Sequence, residues 1–117
     1  MSQDLDGLRD RLRDFAALRD WEQFHTPQSL LLAIQAELGE LSEHFLWVPD
    51  QAVDDAWKSR KRQDVSEEIA DVVIYLLRLA DVMGIDLEAS VLSKIEINAE
   101  KYPVDKARGR STKYTEL

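Results

Sequence analysis

The 117-residue sequence predicts an all-α protein, arranged as a four-helix antiparallel bundle. Four segments repeat apolar residues at the three-to-four-residue spacing of amphipathic helices. Only three prolines and four glycines interrupt the chain, a composition that favours long helices. Helix start and stop signals, such as Thr26-Pro27 and Gly84, separate the segments and set their order.

The first two helices are predicted from their apolar stripes. The first should end near Asp20, and its stripe is Leu5, Leu8, Leu12 and Phe15. The second begins with Thr26 as N-cap and Pro27 at the first helical position, where its missing N–H costs nothing. It should run to about Trp47, before Pro49. Its stripe, predicted to be buried, is Leu30, Ile34, Leu38, Leu41 and Phe45.

The polar segment 51–63 has Trp57 as its one large apolar residue, and we interpret it as a loop, with room for a short helix, over a functional face. A third helix is predicted from about Asp64 to Met83, and Gly84 ends it in the usual C-terminal position. Its apolar residues are Ile69, Val72, Val73, Leu76, Leu77 and Ala80.

A fourth helix is predicted to begin after the capping residue Asp86 and to end before Pro103. Its apolar stripe is Leu87, Val91, Ile95 and Tyr102. Residues 104–117 are predicted to form an irregular tail. The whole chain, 1–117, is short enough to be one domain, and a core of this size favours self-association.

Composition narrows the class of protein. The net charge is −8, so we expect neither nucleic acid nor an anionic membrane as a partner. Cysteine is absent, which excludes disulfides and thiolate metal sites. The first residues, 1–4, lack the basic and apolar regions of a signal peptide, and no run of 18 apolar residues occurs. We therefore expect a cytoplasmic protein.

Two acidic couplets are the strongest chemical signal. Glu37 and Glu40 lie three apart on the second helix, and Glu68 and Asp71 lie three apart on the third. Residues three apart are neighbours on a helix surface, so each couplet can direct two carboxylates at one spot. Inward-facing carboxylates need a counter-charge, and a donor set of oxygens alone favours Mg²⁺, with Mn²⁺ as a substitute.

A simpler interpretation is also open. In a chain with 23 acidic residues, such spacings arise by chance on solvated helix faces. Arg78 could also pair with an acid on the third helix. A di-iron carboxylate site is disfavoured, because its Glu-x-x-His spacing occurs only at Glu22 and His25, in a predicted loop.

Several motifs resemble those of the MazG-like nucleotide pyrophosphohydrolases, in particular the family's small single-domain branch. The matching segments are Arg19-Asp-Trp-Glu-Gln-Phe-His25, Glu37-Leu-Gly-Glu-Leu41, Glu67-Glu-Ile-Ala-Asp-Val-Val-Ile-Tyr-Leu-Leu77, Lys94-Ile-Glu-Ile-Asn98, Lys101-Tyr-Pro103 and Lys113-Tyr-Thr-Glu-Leu117. They cover nearly the whole chain in the family's order. The resemblance implies a helical, metal-dependent hydrolase of nucleoside triphosphates.

The resemblance also implies roles for the acidic residues. Glu37, Glu40, Glu68 and Asp71 occupy the positions of the family's Mg²⁺ ligands, and would act as catalytic residues by holding the ion against the triphosphate. Glu40 is the expected general base. Glu43 continues the spacing, and either supports a second ion or is simply solvated.

Two further groups of residues follow from the resemblance. Asn98, Lys101 and Lys94 match positions that face the phosphates, although Asn98 could instead bond the local backbone. The nucleobase positions are matched by Trp21, His25, Trp47 and Tyr75, which could also be core residues or, for His25, order the turn before Pro27. Leu46 replaces a common glutamine, and segment 48–63 matches poorly, so base preference is the least determined feature.

The expected reaction is (d)NTP + H₂O → (d)NMP + pyrophosphate, with dCTP or a modified dCTP as the first substrate to test and nucleotide-pool cleansing as the purpose. Two alternatives remain. The chain could be a non-catalytic helical interaction module whose acidic face keeps it in solution or binds a basic partner. It could also keep the fold and act on another metabolite that contains a pyrophosphate bond.

Overall fold

A computed structural model describes residues 4–117, and over that range it contains helices, turns and no strand. The all-α prediction is confirmed. Met1, Ser2 and Gln3, which entered the signal-peptide argument, lie outside the described residues. The α-helices are α1 (Leu5–Leu18), α2 (Pro27–Glu43), α3 (Asp55–Val82), α4 (Leu87–Lys101) and α5 (Val104–Ala107), and single 3₁₀ turns occur at Glu22–Phe24, Asp50–Ala52 and Tyr114–Glu116.

Each of the four long helices begins with a side chain that caps a free backbone N–H. Thr26 Oγ1 accepts from Ser29 N at 3.2 Å, and an Asp86 carboxylate oxygen accepts from Ala89 N at 3.0 Å. Both caps were predicted from the sequence. Asp4 and Asp54 cap α1 and α3 in the same way. Such caps satisfy donors that have no partner within the helix, typically worth about 1 kcal/mol each.

The prediction of a loop over residues 51–63 is wrong, because α3 begins at Asp55. The Asp54 side chain accepts from Trp57 N at 2.9 Å, and the Trp57 ring is buried and lies 5.1 Å from the ring of Phe45. Burial of this aromatic side chain and the Asp54 cap both favour a helix over these first turns. The charged residues that suggested a loop occupy the solvated face of a helix instead.

Helix α2 also ends earlier than predicted, at Glu43 rather than near Trp47. Residues 44–47 form turns, and Trp47 has φ +65°, a left-handed conformation that no α-helix contains. At the end of α3, Gly84 has φ +69°, as expected of a residue that closes a helix. The tail is less irregular than predicted, since it contains α5 and a 3₁₀ turn.

The chain divides into two compact units, Met1–Ile85 and Asp86–Leu117. In the first unit, α3 packs against both α1 and α2. The buried apolar residues are Ala16, Leu30, Ile34, Trp57, Leu77 and Ala80. The α2 stripe is therefore buried in its first half only, because Leu38 and Phe45 are 44% and 41% exposed.

The second unit is held by aromatic contacts near the end of α4. The Tyr102 and Tyr114 rings meet edge to face at 6.0 Å, and Lys101 Nζ lies 4.7 Å from the centre of the Tyr114 ring. The predicted α4 stripe is amphipathic but contains no buried residue. Between residues 4 and 117, no helix is both long enough and apolar enough to cross a bilayer.

Candidate functional site

The predicted acidic couplets bring three carboxylates together. Glu37 and Glu40 lie on α2, and Glu68 lies on α3, which packs against α2. One carboxylate oxygen from each residue lies within 4.8 Å of the other two. A spacing of this size leaves room for one small cation between the three oxygens. We refer to Glu37, Glu40 and Glu68 as the carboxylate triad.

The carboxylate triad has more negative charge than the surrounding protein can satisfy. Glu37 Oε2 and Glu68 Oε2 are buried and have no hydrogen-bond partner. Burial raises the pKa of Glu37 above its ordinary value, and the neighbouring carboxylates of Glu40, Asp71 and Glu68 raise it further. Burial is also the main reason that the pKa of Glu68 is raised, with Glu40 and Asp71 adding to it. Buried, unpaired carboxylates of this kind indicate a place where a counter-ion belongs.

Asp71, the fourth predicted ligand, lies next to the triad rather than within it. It contributes to the raised pKa of both Glu37 and Glu68, so its charge is close to theirs. Its side chain also lines the cleft described below. Asp71 therefore connects the carboxylate triad with the cleft.

His44 was missed by the sequence analysis. Its Nε2 lies 3.9 Å from Glu68 Oε1, and both side chains are about one-fifth exposed. It partly offsets the raised pKa of Glu68. A signal was available, because His44 follows Glu37 by seven residues, which is two helical turns and the same face.

An open cleft of about 320 Å³ lies beside Asp71, within the first unit. Three of the four predicted base-binding residues, Trp21, His25 and Tyr75, line it. The Trp21 ring stands edge to face against Phe15 at 5.8 Å and against His25 at 6.4 Å. A cleft with aromatic walls and a few polar groups has the composition of a site for a flat heterocycle.

Trp47, the fourth predicted base-binding residue, does not line this cleft. It is 92% exposed, and its left-handed backbone is unusual for a bulky side chain. The predicted phosphate-binding residues Lys94, Asn98 and Lys101 lie on α4, in the second unit, at a four- and three-residue spacing that places them on one helix face. Within that unit, the backbone carbonyl of Asn98 accepts from Tyr102 N at 2.9 Å.

The fold and the site together define a class: an all-α protein in which two packed helices direct carboxylates at a single point beside an aromatic cleft. The sequence profile of the MazG-like family matches residues 32–117, which is most of the chain. The chain belongs to the MazG-like family.

Relatives and solved structures agree with this assignment. The chain is 48% identical over 114 residues to dCTP pyrophosphatase 1 from Homo sapiens, an alignment that covers 97% of this chain and 67% of that protein. It is 46% identical over 114 residues to dCTP pyrophosphatase 1 from Bos taurus, covering 97% and 68%. The crystal structure of a pyrophosphatase from Archaeoglobus fulgidus superposes with a TM-score of 0.80 and 40% identity, covering 88% of this chain and 95% of that one.

Proposed function

We propose that this chain hydrolyses dCTP or a modified dCTP to the monophosphate and pyrophosphate, with Mg²⁺ as cofactor, and so removes unwanted nucleotides from the pool. Its family and the pyrophosphatases it is similar to make the chain a nucleoside triphosphate pyrophosphohydrolase. The cofactor, the base and the cellular purpose are the parts that we propose. The carboxylate triad is the observation that carries the proposal.

The residues of the triad fit a hard divalent cation. They offer only oxygen atoms, their ligand atoms converge within 4.8 Å, and two of their oxygens are buried without a partner. Glu37, Glu40, Glu68 and the adjoining Asp71 would hold the ion. Bound there, Mg²⁺ (or Mn²⁺) supplies positive charge to phosphate oxygens and polarises the phosphorus for attack.

The same carboxylates explain how an acidic protein accepts a polyanion. The net charge of −8 repels a triphosphate, unless the charge of the site is reversed locally. In the reaction, a water oxygen bonds to the α-phosphorus while the bond from that phosphorus to the α–β bridging oxygen breaks, and pyrophosphate leaves. We assign Glu40, the most exposed of the triad, as the base that takes the proton from this water.

The aromatic cleft is the proposed site of the base. Trp21 offers a ring face or edge for stacking, His25 offers a nitrogen for the edge of the base, and Tyr75 contributes to the wall. Trp47 remains a proposed contact for a different reason: a bulky residue with positive φ is strained, and such strain is concentrated at functional positions.

Replacing Trp47 tests this last assignment. We expect Trp47→Ala to raise KM several-fold, because a stacking surface is lost. We also expect the differences in KM between nucleotides with different bases to become smaller. Unchanged KM values for all bases would remove Trp47 from the site. Circular dichroism on the same sample would verify that the helices are intact.

The phosphate contacts are assigned to the second unit. Lys94, Asn98 and Lys101 offer two ammonium groups and an amide from one face of α4, a suitable donor set for phosphate oxygens. Many apolar side chains are exposed in the described residues, including Leu32 at 66% and Leu92 at 60%. This exposure supports a homodimer or homotetramer, and a monomer by light scattering at micromolar concentration would contradict it.

The direct test is pyrophosphate release from a panel of dNTPs and NTPs, with Mg²⁺ and with a chelator. We expect release that depends on Mg²⁺ and is strongest for dCTP or a modified dCTP. Metal-dependent stabilisation without turnover of any nucleotide would redirect the proposal to another metabolite with a pyrophosphate bond. Indifference to both Mg²⁺ and nucleotide would favour the non-catalytic interaction module.

A further inference from the structure

A second cluster of charged residues adjoins the aromatic cleft, and two of its members, His25 and Arg78, line the cleft. Arg78 is the most deeply buried charged residue among those that the structure describes, at 4% exposure. Its Nη1 donates to Asp81 Oδ2 at 3.1 Å, and its Nε donates to Nδ1 of His25 at 3.1 Å. Arg13 of α1 holds the same aspartate through two bonds, of 2.6 Å to Oδ1 and 3.0 Å to Oδ2. We call Arg13, Asp81, Arg78 and His25 the arginine relay.

The bond from Arg78 decides which nitrogen of His25 has the proton. A guanidinium donates hydrogen bonds and accepts none, and it does not lose its proton in proteins. Nδ1 of His25 must therefore present a lone pair, so the imidazole is neutral and its hydrogen is on Nε2. Burial and then the positive charge of Arg78 both lower the pKa of His25, which favours the same neutral form.

Asp81 sets the direction in which Arg78 donates. Its carboxylate is fixed by the two bonds from Arg13, and these are the main reason that the pKa of Asp81 is lowered. With Nη1 of Arg78 bound to this anchored carboxylate, Nε of the same rigid plane points at the imidazole. Because the guanidinium is fixed, His25 is held in a single hydrogen-bonding pattern, with Nδ1 as acceptor and Nε2–H as donor.

We propose that Arg78 is a positioning residue for base recognition, which fixes His25 as its Nε2–H tautomer so that the cleft offers a donor to an acceptor on the edge of the base. The inference rests on the proposed function of the cleft. Cytosine offers two such acceptors, O2 and N3. A cleft with a fixed donor favours the base that places an acceptor at that point, and disfavours one that places an N–H there.

A purely structural role for the arginine relay makes different predictions. If Arg78 only fastens α1 and the Glu22–Phe24 turn to α3, its replacement would lower the melting temperature but leave the tautomer and the choice of base unchanged. The positioning role requires that both change. These two readouts separate the roles even in a variant that is less stable.

The tautomer can be read directly, because the chain contains only two histidines. We would record long-range ¹H–¹⁵N spectra of the ¹⁵N-labelled full chain, with His25→Gln to assign the signals. We expect wild-type His25 to be the Nε2–H tautomer through neutral pH. Arg78→Met should give a mixture of tautomers. Asp81→Asn, which leaves Arg78 in place but weakens its anchor, is the second variant if Arg78→Met does not fold.

Kinetics on the same proteins complete the test. We expect Arg78→Met to raise KM for the best nucleotide by about tenfold, which corresponds to the loss of one hydrogen bond. Discrimination among the dNTPs should fall by a similar factor. The value of kcat should stay within about twofold of wild type. Arg78→Lys should restore part of the discrimination. Arg60→Met, the same change at an exposed arginine of α3, should leave the tautomer and both constants as in wild type.

The outcomes distinguish the two levels of the argument. An unchanged tautomer in both Arg78→Met and Asp81→Asn, or a changed tautomer with unchanged base selectivity, would overturn the positioning role while the proposed function stood. If wild type hydrolysed no nucleotide, the proposed function would fail and base recognition with it. The spectra would then still decide whether Arg78 fixes the tautomer of His25.

Discussion

Helix α3 contributes to two clusters of charged residues, and the two differ in whether positive and negative groups are paired. At Glu68 it joins the carboxylate triad, in which like charges converge and two buried oxygens have no partner. Ten residues later, at Arg78, it joins the arginine relay, in which each charge has a partner. The pKa of Glu68 is raised, and the pKa of Asp81 is lowered.

The difference shows how a functional cluster can be told from a supporting one. Both clusters are partly or fully buried, so burial alone does not separate them. The arginine relay is complete without a ligand, since its carboxylate and guanidinium satisfy each other. The carboxylate triad keeps two buried oxygens without a partner, and His44 offsets its repulsion only in part, so a cation would complete it. An unbalanced buried charge is therefore the more direct sign of a binding site.

The largest expected effect comes from removing one charge from the triad. Glu68→Gln should lower turnover by on the order of 1000-fold or more, because a cation held by fewer carboxylates gives less stabilisation to the transition state. The matched control is Glu67→Gln, the same change one residue earlier, where the exposed carboxylate only accepts from Gln63 Nε2 at 2.9 Å. Steady-state pyrophosphate release measures both. Equal losses, or none, would contradict the assignment of the triad.

Breaking the arginine relay should affect stability more than chemistry. Asp81→Ala leaves the buried guanidinium of Arg78 without its carboxylate, and loss of one partner of a buried pair costs about 3 kcal/mol. Urea denaturation of wild type and variant measures the difference. A variant with the wild-type midpoint would mean that the relay contributes nothing to folding.

The pH dependence of this stabilisation follows from its sign. The folded-state pKa of Asp81 lies below its ordinary value of 3.8. The contribution of the Asp81 carboxylate to the free energy of unfolding is therefore fully present at pH values above its ordinary pKa. It is lost as pH falls through the lower, folded-state pKa. The difference in the free energy of unfolding between wild type and Asp81→Ala should be constant around neutral pH and should decrease only in acid. A gap that closes near neutrality would contradict the lowered pKa.

Within the triad, neutralising a carboxylate is expected to stabilise the metal-free protein, by less than the loss of Asp81 destabilises it. The pKa of Glu37 is raised in the folded state, so the carboxylate costs stability at neutral pH when no cation is bound, and the cost falls as pH is lowered toward its unfolded pKa. Glu37→Gln should raise the melting temperature of the metal-free protein by a few degrees and abolish further stabilisation by Mg²⁺ plus nucleotide. A lower melting temperature without metal would mean that the triad is not repulsive.

The smallest effect is expected from the exposed ion pairs of Arg9, whose charge makes the smallest of the contributions that lower the pKa of Asp81. Arg9 binds Asp10 and Asp6, its own neighbours on α1, and all three side chains are accessible. Such pairs contribute little in water. Arg9→Gln should leave both turnover and the denaturation midpoint unchanged, and a clear loss of either would show that surface pairs matter here as much as buried ones.

The sequence predicted the parts of the fold that depend on local signals. Thr26, Gly84 and Asp86 act at helix ends by bonds or dihedral angles within a few residues, and the structure places them there. It did not predict that α3 begins at Asp55, because that start depends on the burial of Trp57 against Phe45, which lies outside the helix. Nor did it predict how far the α2 stripe is buried.

The parts of the site in which helical spacing alone brings residues together could be predicted from the sequence. The meeting of Glu37 and Glu40 follows from a spacing of three, and the resemblance groups them with Glu68 and Asp71, of which Glu68 joins the triad. The arginine relay was less accessible, because Arg13 and Asp81 are 68 residues apart in the chain. The pairing of Arg78 with an acid on its own helix, which the sequence left open as an alternative, does occur, with Asp81.

The proposed function depends on a divalent cation held by the carboxylate triad. Titration of Mn²⁺ into the protein, followed by electron paramagnetic resonance with and without a non-hydrolysable dCTP analogue, tests it without relying on turnover. We expect wild type and Glu67→Gln to bind Mn²⁺ in competition with Mg²⁺, and Glu68→Gln to bind it at least about tenfold more weakly. Equal binding by all three proteins would place the cation elsewhere and rule out the carboxylate triad as its site.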